Sequence, residues 1–226
     1  MLTDTRSKQA RENVMKKKER ALEIYSRLAK RYPAPKPALD WTTAWELLVA
    51  TVLAAQCTDE RVNKVTPTFF KQWPSIKDVA EADTAEIEDV IRSTGFFRNK
   101  ANNLKNAAIK VMYTFDGQVP SSMAELVSLP GVARKTANIV LSNAYGIHEG
   151  IAVDTHVKRL SFRMGLTRNT DPVRIEKDLM PLYPKETWGD VNHFLVYYGR
   201  EICNARSPRC GQCELADICP KLGVNK

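Results

Sequence analysis

Along most of this chain apolar residues recur at helical spacing, and no stretch sustains the two-residue alternation of a half-buried strand. The segment ENVMKKKERALEIYSRLAKRY is helical in propensity. It stops at Pro33, Pro35 and Pro37, a stretch that reads as a link between domains. Thr43 and Glu46 then form a capping box ahead of LLVATVLAA, Leu47–Ala55, a nearly apolar run interrupted by Thr51. Further helix starts fall at Thr58, Ser75, Asp83 and Ser122, and Asp171-Pro172 sets an N-cap before a proline at the first helical position. Gly95, Gly117, Gly146 and Gly165 sit where helices should end. The pattern predicts an all-α chain of about ten short helices. Beyond Cys203 the density of Pro, Gly and Cys rules out long helices.

Composition changes this picture in two respects. Lys and Arg number 34 against 26 Asp and Glu, a net charge of +8 that invites a polyanionic partner such as nucleic acid. The apolar run at Leu47 is too short to span a bilayer, and the charged N-terminal stretch lacks the apolar region of a signal peptide. These features predict a soluble intracellular protein.

The cysteines are unevenly placed. Cys57 stands alone in an apolar helix and reads as a small core residue. The others crowd into Cys203-x6-Cys210-x2-Cys213-x5-Cys219. In an intracellular chain such a cluster points to a metal centre rather than to disulfides. Structural zinc usually takes two well-separated Cys-x2-Cys knuckles, which this spacing lacks, so iron–sulfur is favoured and zinc stays open.

The stretch LPGVARKTANIVL, Leu129–Leu141, is unusual in its charge. A Leu-Pro-Gly turn leads into a helix from Ala133 onward, and Arg134 and Lys135 fall in its first turn, the positive end of the helix dipole. Such a turn is either an ordinary connection or an anion nest whose outward N–H groups, from Gly131 to Arg134, hold a DNA phosphate. Lys135 is likewise either a solvated surface lysine or a nucleophile. A nucleophilic lysine must be neutral to attack, and both the dipole and burial in a cleft disfavour its protonated form. Asp154, in IAVDTHVKRL, reads as the N-cap of a following helix. One helix and one loop after Lys135, it can also return to the same cleft.

The cysteine loop and LPGVARKTA together resemble the endonuclease III group of DNA glycosylases in the helix-hairpin-helix superfamily, over about residues 15 to 220. The resemblance implies two helical lobes. A six-helix barrel lobe with the hairpin covers residues 37–148, an iron–sulfur lobe covers 1–36 and 149–226, and an active cleft lies between them. It implies that Cys203, Cys210, Cys213 and Cys219 hold a [4Fe-4S] cluster. It also implies that Lys135 attacks the deoxyribose C1′ and forms a Schiff base, with Asp154 stabilising the developing positive charge. The expected function is therefore a bifunctional glycosylase and AP lyase acting on double-stranded DNA with oxidised pyrimidines or abasic sites. It would work as a cytoplasmic monomer without a membrane.

The resemblance further assigns Gln56 and Phe96 to loops that fill the space left by a flipped nucleotide. Many members carry an aliphatic wedge at the second position and a glycine where Ala133 stands, so both residues are departures. Arg206 and Arg209, inside the cysteine loop, are expected to contact phosphates. A mispaired-adenine glycosylase is the nearest rival, but it lacks the hairpin lysine and carries a catalytic glutamate before the Gln loop. A non-catalytic iron–sulfur protein is the rival from another class. Cleavage of an abasic-site duplex separates it from an enzyme.

Overall fold

The computed structural model describes residues 16–224. The part of the first helical segment before Lys16 lies outside them. The described elements are α-helices and short 3₁₀ turns, and among the described residues there is no β-strand. The helices are α1 (Lys17–Arg31), α2 (Ala44–Leu53), α3 (Asp59–Gln72), α4 (Ile76–Glu81), α5 (Thr84–Ile91) and α6 (Phe97–Thr114). They continue as α7 (Met123–Val127), α8 (Arg134–Tyr145), α9 (Thr155–Arg163), α10 (Pro172–Leu179) and α11 (Trp188–Glu201).

The helix starts follow local chemistry. Thr58, Ser75, Asp83, Ser122 and Asp171 each cap the helix behind them by accepting a backbone N–H in its first turn. At α2 only half of the expected box forms. Thr43 Oγ1 accepts from Glu46 N at 3.2 Å, but Glu46 Oε2 accepts from Thr42 N at 2.6 Å rather than from Thr43. Cys57 also departs from expectation. It lies in the turn after α2, half-buried against the core.

The chain divides into two compact units, one of Lys36–Ala152 and one of Met1–Pro35 with Val153–Lys226. In the Lys36–Ala152 unit, α2 is buried on every side; Leu47, Leu48, Val49, Ala50 and Leu53 are all at most 1% exposed. A helix apolar all round belongs at the centre of a core, and full burial of each such leucine contributes about 2 kcal/mol. α8 packs on α2, while the long α6 packs on α4 and α5.

In the other unit, α1 buries Ala21, Ile24 and Leu28, and α11 buries Val191, Phe194, Leu195 and Tyr198. α1 and α9 both pack on α11. Polar contacts extend this packing to the cysteine segment. Arg27 holds Asp217 through two nitrogens, at 2.7 and 3.0 Å, and donates to Glu214 O at 2.7 Å.

Candidate active site and cysteine loop

Leu129 and Val132 are buried, and the Val132 N–H donates to Leu129 O at 3.1 Å, closing the turn that carries Pro130 and Gly131. Gly131 has φ +78°, and a Cβ there would lie 2.9 Å from Asn103 Cβ on α6. The glycine is needed twice over, for its backbone and for the space beside it. Ala133 is extended at φ −87°, ψ 166°. Alanine adopts that conformation freely, so its replacement of glycine imposes no backbone strain. Ala133 supplies no side-chain cap to α8. The first-turn N–H groups of this helix, which have no intrahelical acceptors, are therefore left without help from their cap residue.

Lys135 occupies the second position of α8 and is exposed. Its side chain is therefore open to a ligand. Arg134, beside it, is half-buried.

In the other unit Asp154 is the N-cap of α9. Its Oδ1 accepts from Val157 N at 2.8 Å, and its Oδ2 lies 3.1 Å from His156 Nδ1. The capping reading therefore stands. A carboxylate held by a helix terminus on one oxygen and by an imidazole on the other has a fixed orientation.

The four clustered cysteines line a single pocket, with Arg163, Tyr198 and Ile202 among its walls. None is in a disulfide. No three or more Cys, His or carboxylate side chains among the described residues gather at the spacing of one bound ion. A zinc would draw four sulfurs to about 2.3 Å from a common point. Four thiols that line one pocket without converging on a single point fit a polynuclear cluster instead. Arg163 Nη1 donates to Cys203 Sγ at 3.3 Å, and Tyr198 Oη lies 3.1 Å from Cys213 Sγ. Arg163, only 8% exposed, also donates to Asn204 O at 2.7 Å and Ala205 O at 2.8 Å. Arg159 Nη2 reaches Gly199 O and Cys203 O. The helix that begins at Asp154 is thus fastened to the first turn of the cysteine loop. Sequence reasoning missed Arg159, Arg163 and Tyr198. The i, i+4 spacing of the two arginines, which sets them on one face of α9, was the available signal. Arg206 and Arg209 are exposed.

Gln56 and Phe96 share two features. Each is exposed, Phe96 at 61%, and each holds a left-handed backbone, with φ of 55° and 48°. Such angles are uncommon outside glycine and persist only where the surroundings hold them. Phe97, next in sequence, turns the other way. It packs against the core, with the Arg92 and Arg98 guanidinium groups 4.8 and 5.5 Å from its ring centroid.

Residues 49–185 match the model of the HhH-GPD superfamily base excision DNA repair proteins, and residues 203–219 match the iron–sulfur binding domain of endonuclease III. Endonuclease III of Synechocystis sp. is 56% identical over 90% of this chain and 93% of its own length. That of Bacillus subtilis is 43% identical over 83% and 86%. A solved structure of a trapped endonuclease III–DNA covalent intermediate superposes with a TM-score of 0.87 at 40% identity. It covers 92% of this chain and 97% of the other. The segment 203–219 is accordingly a [4Fe-4S] binding segment, and its four cysteines are the residues that would hold the cluster. Conserved architecture along almost the whole chain and a matching cluster loop place this chain in the endonuclease III family, the DNA glycosylase and AP lyase branch of the HhH-GPD superfamily.

Proposed function

We propose that this enzyme removes oxidised pyrimidines from duplex DNA with Lys135 as the nucleophile and Asp154 as its electrostatic partner. The observation that carries the assignment is the placement of Lys135, an exposed amine in the first turn of a helix whose cap residue has no side-chain acceptor. The hairpin turn around Gly131 and Ala133 and the exposed start of α8 receive a phosphate beside the amine, which brings the sugar to it. Bound DNA then covers the exposed amine and disfavours its charged form.

In this reading neutral Lys135 Nζ attacks C1′. The N–C1′ bond forms, the glycosidic bond breaks, and the base leaves with the bonding electrons and acquires a proton. The Asp154 carboxylate stabilises the positive charge that builds on the sugar. Nζ loses its proton as the ring opens to the imine. Removal of a C2′ proton then expels the 3′ phosphate by β-elimination, and water hydrolyses the imine to free the lysine. Gln56 and Phe96 fill the vacated stack, and Arg206 and Arg209 steady the backbone. The cluster holds the loop that carries these two arginines. The enzyme works as a monomer in the cytoplasm. Among the described residues no helix is long and apolar enough to cross a membrane.

Borohydride added during reaction with abasic duplex tests the nucleophile, because only an imine is reduced to a stable adduct. Wild-type chain is expected to be trapped through Lys135. Lys135→Gln is expected to bind the duplex yet give neither adduct nor nick. An adduct formed by Lys135→Gln would refute the assignment.

A further inference from the structure

Lys100 is a lysine in the interior, 4% exposed, on the first turns of α6. Its Nζ donates to Leu53 O at 2.8 Å and to Thr94 O at 2.9 Å, while its backbone N–H donates to Phe96 O at 3.1 Å. Leu53 ends α2, three residues before Gln56, and Thr94 stands two residues before Phe96. One residue therefore grips both exposed loops at their roots. We infer that Lys100 is a positioning residue for strand opening, setting Gln56 and Phe96 in common register so that both enter the duplex together.

Three observations carry this. Gln56 and Phe96 both hold positive φ, a conformation that the surrounding contacts must maintain. Leu53 O is one of the carbonyls that α2 leaves without an intrahelical donor, and a cation at a helix C-terminus meets the negative end of its dipole. A buried ammonium, finally, is costly, and burial holds the Lys100 pKa below its ordinary value, with Cys57 opposing the shift. A core that needed only packing would be served as well by methionine. The ammonium supplies two directed hydrogen bonds to carbonyls in separate segments, which no apolar side chain can give.

The inference rests on the reading of Gln56 and Phe96 as void-fillers, so the test carries that reading as its own arm. Full-length wild type, Lys100→Met, Lys100→Arg, the double variant Gln56→Ala/Phe96→Ala and the triple combination with Lys100→Met are compared. Each cleaves an abasic site in duplex and in single-stranded DNA, which needs no opening. Fluorescence of 2-aminopurine placed opposite a tetrahydrofuran site reports whether the partner base is unstacked. Lys100→Met is expected to lower duplex cleavage by about tenfold to a hundredfold, to leave single-strand cleavage nearly unchanged, and to abolish the fluorescence rise. It should add nothing further to the double variant, and Lys100→Arg should restore part of the effect. If the methionine chain does not fold, Lys100→Gln, which keeps one donor, takes its place in the same assays.

A Lys100 variant that melts earlier but keeps the wild-type ratio of duplex to single-strand cleavage, while the double variant loses it, overturns the inference and leaves the void-filling reading intact. A double variant that keeps the wild-type ratio removes the void-filling reading, and the inference falls with it.

Discussion

At Asp154 the carboxylate caps α9 through Oδ1 while Oδ2 faces His156, so the cap and the chemistry proposed for this residue share one side chain. Two substitutions separate them. Asparagine caps a helix about as well as aspartate, whereas alanine forfeits about 1 kcal/mol. Asp154→Asn is expected to melt with the wild type and to cleave abasic duplex slowly. Asp154→Ala is expected to lose the reaction as well and to melt roughly 2–4 °C lower, as scanning calorimetry would record. The hairpin offers the opposite contrast. Gly131→Ala combines a positive φ with a Cβ 2.9 Å from Asn103 Cβ, so it should destabilise the chain by roughly 1–3 kcal/mol. At Ala133 the backbone is extended, and the better capping of glycine offsets its greater chain entropy. Ala133→Gly should therefore stay within about half a kcal/mol of the wild type in chemical denaturation.

Helix α11 carries His193, whose ring centroid lies 6.4 Å from that of Tyr197. Burial holds its pKa below the ordinary 6.5, against the pull of the Asp190 carboxylate. Below pH 6.5 the unfolded chain takes up a proton that the folded helix resists. The stability linked to this residue is thus present above 6.5 and is lost as pH falls toward the lower folded value. His193→Gln should flatten that acid limb when denaturation midpoints are compared across pH. At this scale the sequence was a good guide wherever the physics is local. Caps at Thr58, Ser75, Asp83, Ser122 and Asp171 were legible because donor and acceptor lie within three residues of each other. The capping box at Thr43 was half legible, since Glu46 turned to Thr42, a neighbour with both a backbone N–H and a hydroxyl to offer. Lys100 was not legible at all, because its carbonyl partner at Leu53 lies 47 residues away and the periodicity of one helix carries no record of it. For Arg163 the i, i+4 spacing with Arg159 marks a shared face of α9, but not the partner at Cys203, 40 residues away. The exposure of Lys135 is another such property, because sequence marks the helix terminus but not what stands before it.

Across the molecule the [4Fe-4S] site binds the last part of the chain to α9 and α11. The purified protein should be yellow-brown, with roughly four iron and four sulfide per chain. Stoichiometric zinc without visible absorbance would contradict this. Cys203→Ser removes the thiol that Arg163 contacts, one of the four proposed to hold the cluster. It should make residues 203–219 susceptible to protease while a fragment spanning Lys36–Ala152 persists, as mass spectrometry of a timed digest would show. The division of the chain into a continuous unit and one drawn from distant segments also sets an order in time. A ribosome reaches Ala152 with every residue of the Lys36–Ala152 core already made. Ile24 and Leu28, made much earlier, have no Phe194 or Leu195 to cover them until α11 follows, a wait on the order of ten seconds or more at cellular elongation rates. During that interval the newborn chain carries a helix with a bare apolar stripe, a natural target for a chaperone.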